Sequence, residues 1–157
     1  MHLRIEPITA GAFAPFGQLL PPRSVDDGQQ DLIQELQNDR AMALPRLRLL
    51  TLEAKALPVT IVELERHAHS SQAFVPLDCA SYLVVVAPQS VDELPDMDRL
   101  RAFRVPGDTG INYKANTWHH PLSPLERVAR FAMLNFVDGT AGDEQFVPLR
   151  TKVFIEA

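Results

Sequence analysis

Thirteen prolines against seven glycines in 157 residues constrain this chain more than any other feature. Proline carries no amide hydrogen and clashes with the preceding helical turn, so its regular recurrence cuts the sequence into stretches too short for long helices and well suited to strands joined by turns. Five stretches read as strands: "RLRLLTLEA" (46–54), "VTIVELERH" (59–67), "SYLVVVAP" (81–88), "LRAFRVP" (100–106) and "RVARFAMLNFV" (127–137). They are rich in Val, Leu, Ile and Phe, and two are apolar on both faces, as expected of strands covered by a layer on each side. Helix is a minor component: a turn over "AGAF" capped by Thr9, and "QQDLIQELQNDRA" (29–41), where Leu32, Ile33 and Leu36 share one face. The polar stretch 25–31, with its glycine, reads as a mobile loop. With 46% hydrophobic residues, the length suits a single domain, residues 1–157, around one core.

Charge and cysteine content narrow the function. The net charge of −5 comes without any cluster of Lys and Arg, which argues against a nucleic-acid partner. No apolar run approaches the roughly 20 residues of a membrane span, and the N-terminus lacks the apolar core of a signal peptide, so the expected location is cytoplasmic. The single cysteine, Cys79, excludes an internal disulfide and a cysteine-rich zinc site and reads as packing.

Two segments concentrate chemistry. In "ELERHAHSSQAF" (63–74) strand alternation puts Glu63, Glu65 and His67 on one face and Leu64 and Arg66 on the other. A carboxylate and an imidazole two residues apart are able to converge on a divalent ion, with Gln72 returning from beyond the turn at Ser70 and Ser71. The same spacing is common on the solvent face of an edge strand, and His69 in the turn reads as exposed. In "GDTGINYKANTWHHPL" (107–122), Gly107 and Gly110 flank a tight turn ahead of the adjacent pair His119 and His120. Neighbours on a strand point to opposite faces, so one histidine serves a site and the other supports it unless the backbone bends.

"ITAGAFAPFGQLL" (8–20), "LERHAHSSQAFVPL" and "GINYKANTWHHPL", in this order and at these distances, resemble the signature stretches of the bacterial ureidoglycolate lyase (ureidoglycolate hydrolase) family. The resemblance implies an all-β, cupin-like antiparallel β-sandwich or jelly roll, pairing as a homodimer. It also implies a reaction in which ureidoglycolate, a small anionic substrate, splits into glyoxylate and urea during nitrogen recovery from allantoin. Laid on the cupin motifs, Glu65, His67, Gln72 and His119 fall at the metal-ligand positions and Cys79 at a glycine position. Amide and carboxylate oxygens thus replace two of the usual ligands. The family association with a divalent metal, usually nickel, implies the same cofactor here. His120 becomes the proton-transfer candidate if the strand bends at the His-Pro junction and packs on the far side if it does not. Lys114 is the nearest cation in the motif for the product anion. Residues 24–45 depart from the family pattern, which carries a His-Ile-Asn-x-Gly stretch there. The alternatives are a cupin-type binding module without turnover, a related enzyme acting on another ureido or hydroxy acid, and a structural dimerisation protein.

Overall fold

In the computed structural model, which describes residues 1–157, each of the five expected strands lies within two residues of its sequence-read bounds. The chain order is β1 (His2–Pro7), α1 (Ala10–Phe13), β2 (Gly17–Leu20), β3 (Leu44–Leu52), β4 (Val59–Arg66), β5 (Gln72–Asp78), β6 (Ser81–Ala87), β7 (Arg101–Pro106), β8 (Gly110–Tyr113), β9 (Trp118–His119), β10 (Ser123–Leu125), β11 (Ala129–Val137) and β12 (Gln145–Glu156). Beyond α1, whose Thr9 hydroxyl accepts the Ala12 amide as expected of a cap, helix is confined to 3-10 turns at Met97–Arg99 and Ala141–Asp143. No helix is long and apolar enough to cross a membrane.

The strands form two sheets. One runs β10-β6-β7-β1-β12-β4-β9, and β9 also pairs with β6, so β6, β7, β1, β12, β4 and β9 close into a barrel. Closure removes the exposed edges that otherwise template wrong pairing. Pairing is antiparallel except at β1, which runs parallel to both β7 and β12. Alternate residues of β6 explain why its sequence is apolar throughout. Leu83, Val85 and Ala87 fill the barrel with Ile61, Leu64, Trp118, Val153 and Ile155. Tyr82, Val84 and Val86 face outward onto a second core. That second core is covered by the other sheet, β2-β8-β5-β11-β3, whose inner face contributes Phe74, Ile111, Phe131 and Met133. Phe13 of α1 closes the layer with its ring edge-on to Phe103. Gly107 permits the turn before β8, since a Cβ there would sit 2.1 Å from the Cys79 carbonyl oxygen.

The helix expected over residues 29–41 does not form. A single turn at Leu32, where the Leu36 amide donates back to the Leu32 carbonyl, is as far as it goes. Beyond it the Gln37 carbonyl accepts the Ser71 amide, the Gln37 amide donates to the Ser71 hydroxyl, the Gln37 side-chain oxygen accepts the Ala115 amide, and Asn38 bridges to Ser70. The Glu35 carbonyl accepts from Asn112. Non-local partners thus claim the groups a helix would have used internally, and Ile33, on the expected apolar face, is 78% exposed. Local periodicity lost to tertiary hydrogen bonding.

Candidate metal and substrate site

The site lies where the barrel wall meets the second sheet. On β4, Leu64 enters the barrel and Arg66 lies over the Trp118 ring, so Glu65 and His67 take the other side of the wall. A register irregularity between Ile61 and Glu63 sets this parity, and Glu63 itself is exposed. Glu65 is paired directly with His119 across β4 and β9, which puts their side chains on one face. The ligand atoms of Glu65, His67 and His119 all lie within 4.8 Å of one another. Two donors at about 2.0–2.2 Å from one ion are at most about 4.4 Å apart, so the triad needs only a small contraction to hold a metal.

Each histidine is prepared as a ligand. His67 Nδ1 donates to the Asp143 carbonyl and His119 Nδ1 to the Thr117 carbonyl, both at 2.8 Å. A carbonyl only accepts, so the proton is fixed on Nδ1 and the Nε2 lone pair is bare, the state a metal-binding imidazole requires. Both Nε2 atoms are buried without a hydrogen bond. His119 Nε2 lies 3.3 Å from Glu65 Oε1. Burial pushes the Glu65 carboxyl up, but His119 beside it, followed by His67 and His120, outweighs burial and holds it below its ordinary value. Burial, then the neighbouring His119, pushes the His67 imidazole down.

Facing the triad, the second sheet contributes one row. Arg46, Asn135, Gln72 and Tyr113 are successive ladder partners across β3, β11, β5 and β8, so their side chains share a face. The Tyr113 ring stacks on His119 at 4.3 Å between centroids, which brings the row against the site. Gln72 Oε1, the Tyr113 hydroxyl and Asn135 Nδ2 are all buried and unpartnered. Burial, with Glu65 nearby, drives the Tyr113 hydroxyl well above its ordinary value, so it stays protonated. Buried polar atoms are almost always satisfied, and this many orphans around one triad is the mark of a site that receives a ligand. The two orphaned imidazole nitrogens and the orphaned Gln72 amide oxygen, together with the Glu65 carboxylate, make a donor set that fits a divalent cation.

The other sequence-read residues fall elsewhere. The His120 amide donates to the Val85 carbonyl, so the ladder runs on past His119 and alternation turns His120 to the side of Trp118. Burial, then Lys55, lowers its imidazole to about 4. The Glu63 carbonyl offsets part of this, but neither ring nitrogen makes a regular hydrogen bond. Lys114 Nζ donates to the Ala14 carbonyl at 2.6 Å. His69 is exposed, as expected. A cavity of about 600 Å³ beside Met97 and Val147 includes none of the triad. Sequence reasoning passed over Arg46, Asn135 and the role of Tyr113. Alternation in "RLRLL", which puts Arg46 and Arg48 on the core face with Leu50, was the available signal.

A family model described as ureidoglycolate lyase matches residues 1–156. A protein named ureidoglycolate lyase from Brucella melitensis is 38% identical over 144 residues, covering 85% of this chain and 82% of its own. One of the same name from Brucella anthropi is 38% identical over 149 residues, with 86% and 85% covered. A third, from Escherichia coli, is 31% identical over 159 residues, with 94% and 96% covered. By sequence over nearly its whole length, this chain belongs to the ureidoglycolate lyase family.

Proposed function

We propose that the protein is a ureidoglycolate lyase, releasing glyoxylate and urea in the cytoplasm. The observation that carries this reading is the buried triad of Glu65, His67 and His119, with two bare Nε2 atoms, in a chain matched end to end by the family model. The reaction splits a carbinolamide: the hydroxyl on the central carbon loses its proton, its oxygen becomes the glyoxylate carbonyl, and the C–N bond breaks as urea leaves. One proton passes from oxygen to nitrogen and no water is consumed.

A divalent ion, nickel by the family resemblance, would be held by Glu65, His67, His119 and Gln72, and would supply Lewis acidity that makes the substrate hydroxyl easier to deprotonate. The remaining chemistry belongs to the chain. Glu65, whose carboxyl is held below its ordinary value, has two oxygens and retains one to accept the hydroxyl proton. Tyr113, kept protonated by burial, donates a proton to the departing nitrogen and regains one from Glu65, which thereby returns the proton it took from the hydroxyl. His120 supports the barrel side of β9, and Lys114 braces the turn before it through Ala14. The protein acts as a homodimer through the outer face of the second sheet, where Leu47, Leu49, Val75 and Leu77 are exposed together. Incubation with ureidoglycolate, with and without chelator, tests the reading. Glyoxylate should appear at a rate proportional to enzyme, and its absence in metal-supplemented samples would overturn the assignment.

A further inference from the structure

Not every arginine near the site is free to bind a ligand. Arg40 is consumed by Asp138 and Asp143 at 2.8 and 2.7 Å. Arg66 is held by Gln145 and Asn116, both at 2.8 Å. Arg46 differs. Its Nε donates to Asn135 Oδ1 at 3.0 Å, and neither of its terminal amino groups has a hydrogen-bond or ion-pair partner. That single bond orients the guanidinium plane from a neighbouring strand and leaves its outward fork unoccupied. Asn135 is 1% exposed, and its Nδ2 is a buried donor with no acceptor. Two adjacent groups therefore offer donors and only donors, beside Gln72 and Tyr113 in the row that faces the triad.

We infer that Arg46, oriented by Asn135, binds the carboxylate of the substrate and makes the site select acids over their neutral counterparts. A guanidinium fork matches a carboxylate in two parallel hydrogen bonds, geometry that an ammonium does not offer. The bare Asn135 Nδ2 supplies a further donor, and a substrate lacking the negative charge would leave the guanidinium without a counter-charge. The inference rests on the lyase reading for the identity of the acid but not for the binding of a carboxylate.

The test uses the full chain as wild type, R46Q, R46K and N135A, with circular dichroism confirming that each is folded. Ureidoglycolate and its neutral amide are compared as substrates, and glyoxylate binding is measured directly by calorimetry. R46Q should raise KM for ureidoglycolate on the order of ten- to a hundredfold with kcat changed much less, as expected for loss of a charge-assisted pair. It should also erase the preference for acid over amide and weaken glyoxylate binding in step. R46K should recover part of the affinity, and N135A should show a smaller rise in KM. An unchanged KM and an unchanged acid-to-amide ratio in R46Q would overturn the inference while leaving the lyase intact. If wild type binds glyoxylate through Arg46 but does not cleave ureidoglycolate, the lyase reading falls and the carboxylate site stands. If wild type binds no glyoxylate and R46Q has the wild-type KM, the carboxylate site falls.

Discussion

Tyr113→Phe separates a built site from an ordinary core more cleanly than removal of any ligand. The Tyr113 ring is 1% exposed, stacked on His119 at 4.3 Å and edge-on to Phe74, and all of these contacts survive in phenylalanine. Only the hydroxyl is lost, and it is buried with no partner. Leaving a buried polar group unsatisfied costs about 1–3 kcal/mol, so its removal should stabilise the ligand-free protein by about 1 kcal/mol. In a domain of this size that corresponds to a Tm higher by about 2–4 °C. Turnover should move the other way, falling by roughly 10²-fold as a proton donor disappears. Urea unfolding at pH 7, read as a shift in midpoint at constant slope, and glyoxylate production measure the two effects on one sample. A variant less stable than wild type by about 1 kcal/mol or more would show that the hydroxyl has a structural partner. Full activity would remove Tyr113 from the mechanism. A gain in stability joined to a loss of function is the signature of a residue kept for chemistry.

The remaining outcomes follow from the same geometry. His119→Ala should abolish binding of added nickel in equilibrium dialysis together with activity, whereas His120→Ala should retain both and lower stability through lost packing; the reverse pattern would shift the site register by one residue. Burial raises the Cys79 thiol to about 11, so at pH 8 its thiolate is depleted and iodoacetamide should alkylate the folded protein on the order of a hundredfold more slowly than the urea-unfolded chain; equal rates would show an accessible, unperturbed thiol. Leu49→Asp, in the exposed apolar patch on β3, should halve the mass seen by sedimentation equilibrium with activity per chain as the second readout, and a monomeric wild type would discard this interface.

How far the sequence carried depends on how local each determinant is. β6 was legible because "SYLVVVA" is apolar on both faces, and the structure buries both, one in each core. β12, the longest strand, was missed because its ladder to β4 is interrupted between Pro148 and Val153, which breaks the alternation that announces a strand. β9 has only two residues, too few to carry any period, although it closes the barrel. Residues 29–41 show the opposite failure, a helical period overridden by Ser70, Ser71, Asn112 and Ala115. In the site, Glu65 and His67 stood out through their two-residue spacing, and His119 through the family resemblance. Gln72 was legible from its place beyond the turn at Ser70 and Ser71, but Arg46, Asn135 and the role of Tyr113 were not, because these residues come from three further strands and meet Gln72 only through register.

Placement at the seam between barrel and sheet also explains how the triad of Glu65, His67 and His119 is held in place. His119 pairs through its backbone with Glu65 on one side and Val86 on the other, so the residue that presents an imidazole to the site is the residue at which the barrel closes. Its position is set by ladders on both flanks, independent of what its side chain binds. His67 stands just beyond the end of β4 and lacks that support. Its orientation comes instead from the Asp143 carbonyl, in a loop pinned by the Asp143 carboxylate through Arg40 and the Asp138 and Gly139 amides. The two histidines are therefore held by different means, one by the closed sheet and one by a salt-bridged loop. Freedom to adjust the triad around an ion belongs more to His67, because moving His119 would open the barrel, whereas the His67 backbone is held outside the ladders by the Asn116 and Ser70 amides donating to its carbonyl.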